Sequence, residues 1–139
     1  MISDKYRLKL AKAEKHFNDT LASKPTLPPL TENLRTKINL ACPPATYRLI
    51  CHLWNNNGAR TDEIAEAVAI GNVSDAATRP RSRAGQETLG ISLICEVYPS
   101  INRYGQATCV GRWWLNVEDF SKLFDEAVND TQYTDTKHA

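Results

Sequence analysis

Long apolar runs are missing from this sequence. No stretch approaches the roughly eighteen residues that a bilayer-crossing helix requires, and the opening residues MISDKYRLKLAKAEK hold no apolar signal core. The expectation is a cytoplasmic protein with no membrane partner. Paired cysteines are missing too: Cys42, Cys51, Cys95 and Cys109 contain no C-x-x-C spacing. A zinc knuckle or redox motif is therefore not indicated, and the thiols read as reduced, small apolar side chains. Six glycines in 139 residues leave little material for a phosphate-cradling loop, and His16, His52 and His138 are scattered. No nucleophile, base and acid fall into a recognisable order. Together these absences point away from catalysis, so no catalytic residue, metal ligand or cofactor is expected.

A strong net charge is also lacking, since the formal total is +1. The charges that are present are unevenly spread. Lys5, Arg7, Lys9, Lys12, Lys15 and Lys24 face only Asp4, Glu14 and Asp19 in the first 24 residues, whereas from Trp113 onward Lys122 and Lys137 face Glu118, Asp119, Asp125, Glu126, Asp130 and Asp135. A basic front and an acidic end suit a charged partner, although each also reads as a solvated helix face.

Apolar periodicity divides the chain. Residues 1–24 read as an amphipathic basic helix: Ser3 caps it, and Tyr6, Leu10, Ala13, Phe17 and Leu21 recur at steps of three and four. That stripe can dock on the rest of the chain, pair with a second copy as a homodimer, or grip another partner, which makes Tyr6, Leu10, Phe17 and Leu21 the candidate interface. Residues 25–40 read as a linker because Pro25, Pro28 and Pro29 exclude regular helix. The main domain spans 41–130. Its first helix starts at Pro43 or Pro44 and stops at Asn55–Gly58; Thr61 caps the second, and Gly71 and Asn72 supply a left-handed turn. Ser74 caps the third helix, in which Ala76 and Ala77 permit close approach to the second. ISLICEVYP and ATCVGRWWL, separated by SINRYGQ, read as a hairpin in which Trp113 and Trp114 point to opposite faces. A closing helix begins at Asn116, Val128 falls on its apolar side, and residues 131–139 read as a flexible tail.

Three helices followed by a hairpin, with T-x-E-I-A, a G-N turn, a Ser-Ala helix and an LGI strand entry across residues 44–115, resemble the winged helix-turn-helix family, including small proteins of phages and mobile elements. The fold class expected is thus α+β, mainly helical: a winged helix-turn-helix core of three helices plus a β-hairpin wing, with an N-terminal amphipathic helix and a C-terminal helix. The resemblance implies that the third helix enters a DNA major groove, that the wing touches the flanking backbone, and that members bind as dimers. On the third helix this singles out Ser74, Asp75, Thr78, Arg79, Arg81 and Arg83; on the wing, Asn102, Arg103, Tyr104 and Gln106.

Pro80 departs from the family pattern, because a proline inside a helix removes a backbone bond. Either the third helix is kinked there, or Thr78 caps a late-starting helix with Pro80 in its first turn and the arginines gathered at its N-terminus. Gly85 is expected to end the helix early, and Ala84 stands where a larger core residue is usual. The leading expectation is a non-enzymatic transcriptional regulator that binds double-stranded DNA. The alternative, from another class, is a small phage-encoded inhibitor of anti-CRISPR type that blocks a host protein or nucleoprotein complex.

Overall fold

Ser3 accepts a hydrogen bond from the Tyr6 backbone N–H at 3.1 Å and starts α1 (Asp4–Ser23) in the computed structural model, which describes residues 2–124. The prolines end α1, yet the linker is shorter than the sequence suggests. Thr31 caps a further helix, α2 (Glu32–Ala41), whose Leu34 and Ile38 enter the core at helical spacing. The residues before it are also anchored: Trp54 donates its indole N–H to the Pro28 carbonyl at 2.8 Å, and Leu27 and Leu30 pack against the core.

α3 (Pro44–Asn55) begins with its proline in the first turn, where the missing donor does no harm, and buries Thr46, Leu49, Ile50, Leu53 and Trp54. α4 (Thr61–Val68) follows. Thr61 does not cap it; the hydroxyl instead donates to the Gly111 carbonyl at 3.2 Å and accepts from the Trp113 indole at 3.0 Å. The left-handed residue after α4 is Ala69 (φ 54°) rather than Gly71 or Asn72, and Asn72 caps α5 (Val73–Thr78) in place of Ser74. α6 (Pro80–Leu89) closes on Gly90, whose φ of 69° lets its N–H reach the Gln86 and Glu87 carbonyls.

β1 (Ile91–Ile101) and β2 (Ala107–Val117) then pair antiparallel over their full length, from Ile91 opposite Val117 to Ile101 opposite Ala107. The fold is therefore α+β, mostly helical, with one two-stranded hairpin. Residues 58–60 run beside β2: the Gly58 N–H donates to the Trp113 carbonyl, and the Trp113 N–H to the Ala59 carbonyl, both at 2.9 Å. This isolated bridge locks the hairpin to the α3–α4 turn.

Alternation along the strands gives the hairpin two faces. Ile91, Leu93, Trp113 and Leu115 join the helical core. The opposite face, with Tyr98 and Trp114, is covered by α1, whose Phe17 ring lies 5.4 Å from Trp114 and 6.1 Å from Tyr98. The two neighbouring tryptophans are thus both buried, on opposite sides. Asn116 and Val117 belong to β2, so the closing helix starts later than expected: Asp119 accepts from the Ser121 N–H at 3.0 Å, residues 120–124 are helical, and Leu123 is fully buried. Val128 and the proposed tail at 131–139 lie outside the described residues.

Candidate nucleic-acid interface

Pro80 determines the geometry around the arginines. The chain breaks at Arg79, whose ψ of 153° is extended, and restarts with Pro80 as the first residue of α6. The expected single third helix is therefore two helices, and Arg79 rather than Thr78 holds the cap position. The Thr78 hydroxyl turns back to the Ser74 carbonyl at 2.7 Å.

A continuous helix would have closed the Ala76 carbonyl with the N–H four residues on, which proline lacks. Side chains replace that donor. Thr46 of α3 donates to the Ala76 carbonyl at 2.5 Å and Ser82 donates to it at 2.7 Å. The Gln86 amide reaches the Ala77 carbonyl at 2.6 Å and Ser82 Oγ at 2.8 Å, while its oxygen accepts from the Leu93 N–H at 3.1 Å. Thr46, Ser82 and Gln86 are all buried. They stitch α3, α5, α6 and β1 together, satisfying polar atoms that would otherwise destabilise the core.

Gly85 does not end α6 but lies in its middle, where a Cβ would stand 2.4 Å from the Ala41 carbonyl oxygen and 2.7 Å from Cys42 Sγ. The glycine lets α6 cross the end of α2 at close range. Ala84 is exposed, and Ser82, Gly85, Gln86 and Leu89 form the buried side. Helical spacing places Ala84 and Glu87 along the middle of the outer face, with Arg81 and Thr88 on one edge and Arg83 on the other.

The arginines differ in how they are held. Arg79 pairs with Asp75 at 3.0 Å on an open surface, and Arg83 Nε donates to the Thr78 carbonyl at 3.1 Å. Arg81 makes no hydrogen bond or ion pair among the described residues. Ser74 is exposed one turn away.

The remaining candidates sit at the hairpin tip. Asn102 is used by the turn itself: its Oδ1 accepts from the Tyr104 and Gln106 N–H groups at 2.9 and 3.0 Å, and its amide lies 3.2 Å from the Gln106 oxygen. Arg103 donates to the Tyr104 hydroxyl at 2.9 Å and leans over that ring, which is 70% exposed. The hairpin is about 33 Å long at roughly 3.3 Å per residue and α6 about 15 Å long at 1.5 Å per residue. Because α6 runs into the hairpin base, the tip stands at least about 15 Å from the α6 N-terminus. The arginines thus form two groups.

The stripe on α1 is largely spent within the chain. The Tyr6 hydroxyl shares its one proton between the Ser100 and Thr108 carbonyls (2.8 and 2.9 Å), Leu10 faces the groove beside Tyr98 and Val110, and Phe17 packs on Trp114 and over Gly58. Leu21 alone of the four keeps 41% exposure. Polar contacts reinforce the docking. His16 Nε2 lies 3.1 and 3.2 Å from the two Glu96 oxygens, Lys24 bonds Asn116, and the Arg112 guanidinium sits 4.4 Å from the Phe17 ring centre. Glu96 also accepts from the Tyr98 hydroxyl and, at 3.4 Å, from the Trp114 indole. The Tyr98 bond, with help from His16 and Trp114, holds the Glu96 carboxyl below the usual range, while burial and that same carboxylate push Tyr98 up to about 12.

Of the cysteines, Cys42 fits the sequence reading, being buried and pushed up to about 11 by burial and by Cys51. Cys95 and Cys109 do not, because both are exposed on the hairpin. They share one face with Val97, which is 68% exposed, and with Ile101.

Sequence reasoning missed Thr46, Ser82, Gly85, Gln86 and Glu96. A signal existed for two of them: Ser82 and Gln86 follow the proline at spacings that turn them inward with Leu89. No protein-family model, curated protein or solved structure matches the chain.

Proposed function

We infer that this chain is a non-enzymatic DNA-binding regulator of the winged helix-turn-helix type, of the kind carried by phages and mobile elements, acting by occupying its site. The observation that carries this reading is the restart of a helix at Pro80. It exposes Arg81 and Arg83 on either edge of a strip whose middle carries Ala84 and Glu87, on a helix whose inner side is fixed by Ser82, Gly85 and Gln86. A ten-residue helix with a slim outer face suits a major groove about 12 Å wide, and arginine forks suit guanine edges or phosphates. The hairpin, tied to the α3–α4 turn through residues 58–60, carries Arg103 and Tyr104 outward to reach flanking backbone.

The test is fluorescence anisotropy with mixed-sequence duplexes at low and at physiological salt. The wild type is expected to bind with steep salt dependence, and Arg81→Ala/Arg83→Ala to bind at least tenfold more weakly. Absence of binding at low salt would overturn the reading.

One observation favours the second reading, an inhibitor that docks on a host protein. Cys95, Val97, Ile101 and Cys109 form an exposed apolar strip on one hairpin face, as protein-binding surfaces do. A stable complex with a host protein, lost in Val97→Ser/Ile101→Ser and formed by a chain that ignores DNA, would replace the first reading.

A further inference from the structure

The docking of α1 places charge where the sequence alone gives no reason to expect it. Tyr6 is bonded to both strands at the Ser100–Thr108 rung, one pair short of the hairpin's last. The N-terminal turns of α1 therefore lie beside the tip. Between residues 97 and 111 the only charged side chain is Arg103, and the adjoining turns of α1 add Lys5, Arg7, Lys9 and Lys12 against the single carboxylate of Asp4. The next acidic groups toward the base are Glu14 and Glu96, and Glu96 is already engaged by His16, Tyr98 and Trp114.

Lys5, Lys9 and Lys12 recur at steps of four and three and so line one flank of the helix, with no carboxylate partner among the described residues. Lys9 stands 5.9 Å from the Tyr6 ring centre and borders a recess of about 330 Å³ that also holds Val97, Thr108 and Cys109.

We propose that the first turns of α1 and the hairpin tip form one surface that binds the phosphate backbone of duplex DNA, apart from the contacts of α6. The inference rests on the DNA-binding reading and adds the lysines of α1 to the tip contact which that reading already includes. Lys5 to Lys12 span about 10 Å at 1.5 Å per residue, while each strand of a duplex carries a charge every 3.4 Å or so along its axis. A row of three ammonium groups therefore spans a run of about four phosphates. The charges are point-like and carried on flexible stems, a form that suits backbone neutralisation rather than base reading. Since the tip stands at least about 15 Å from the α6 N-terminus by the helix and strand rises, engaging both regions takes more of the duplex than α6 alone.

The experiment compares the full chain with Lys5→Gln/Lys9→Gln/Lys12→Gln, with Arg103→Gln and with Arg81→Ala/Arg83→Ala. All the changed side chains are exposed, and circular dichroism checks that each variant folds. Anisotropy is recorded on mixed-sequence duplexes of 10 and 24 base pairs, probe lengths of about one and somewhat over two helical turns of ~10 base pairs, across a salt series. The expected result is that the triple lysine variant binds the longer duplex at least tenfold more weakly and loses the preference for it. Its plot of log affinity against log salt should flatten by about 2 to 3, at roughly 0.9 per lost phosphate contact. Arg103→Gln should flatten it by about 1 on the same basis. If the lysine variant matches the wild type while the α6 variant is weakened, the inference is overturned and the DNA-binding reading stands. If the wild type binds no duplex, both fall, and salt-sensitive binding to polyglutamate in that case assigns the surface to an acidic protein.

Discussion

α6 and α1 are both helices that display cations, but they are attached to the molecule by different physics. α6 is held from inside: a glycine fits it against the end of α2, and buried Ser82 and Gln86 join it to α5 and β1. α1 has no fully buried residue and is held by a stripe of half-buried rings and by polar contacts open to water. Attachments of the first kind cannot be lost without disturbing the core, whereas those of the second can loosen while the rest of the fold persists. Rigid presentation belongs to the arginines, and conditional presentation to the lysines.

The largest expected effect comes from Gly85→Ala. The added methyl meets backbone rather than a movable side chain, so a loss of about 3 kcal/mol is expected from overpacking, measured as the midpoint of urea unfolding. An unchanged midpoint would mean that α6 is not clamped as described. Gln86→Leu comes next. It leaves the Ala77 carbonyl and the Leu93 N–H without partners in the core, for a loss of about 2 to 3 kcal/mol. Ser82→Ala should lose only about 1 kcal/mol, since Thr46 continues to serve the Ala76 carbonyl.

Phe17→Ala probes the other kind of attachment. A half-buried ring contributes less than a core one, so about 1 to 2 kcal/mol is expected, concentrated in α1. Hydrogen exchange should quicken across α1 and not across α6. Equal quickening in both helices would dissolve the contrast.

The smallest effect is set by pH. The Glu96 carboxyl is held below its usual range, so the stability it contributes is complete above the ordinary carboxylate value and fades as pH falls through its lowered value in the folded protein. Tyr98 works in the opposite direction: its raised value makes its contribution complete below about 10 and lost as pH climbs toward about 12. Both groups sit at the α1 clasp, so α1 should loosen at each extreme while α6 keeps its protection. Exchange rates of α1 amides recorded across pH would reveal this, after correction for intrinsic exchange.

Most elements were legible because local chemistry decides them. Ser3 and Pro44 start helices, Asn55 ends one, and β-branched and aromatic runs flank a turn at Asn102–Gln106. α2 went unread because three prolines dominated the view, although Thr31, Leu34 and Ile38 carried a cap and a helical step. The interior of the α5–α6 junction was harder. Pro80 announced a break, but nothing near it in sequence indicates that Thr46, thirty residues earlier, would close the freed carbonyl. Gly85 read as a helix stop because its real reason, the Ala41 backbone, is equally remote. The α1 stripe was visible at once; what would cover it was not, since an apolar stripe describes a surface without naming its occupant.

The two ends of the α1 clasp also impose a ruler. Tyr6 is fixed at Ser100 and Lys24 at Asn116, the partner of Ser92. Eighteen residues of helix cover about 27 Å at 1.5 Å each, and the eight strand residues from Ser92 to Ser100 cover about 26 Å at roughly 3.3 Å each. The two lengths are commensurate. Deleting one residue from α1 would turn every later side chain by about 100° and detach one end of the clasp. Adding four residues to α1 together with two to each strand would extend both by about 6 to 7 Å and return each side chain to its own face. Any natural or engineered lengthening of the hairpin should therefore come with about twice as many added helical residues as each strand gains.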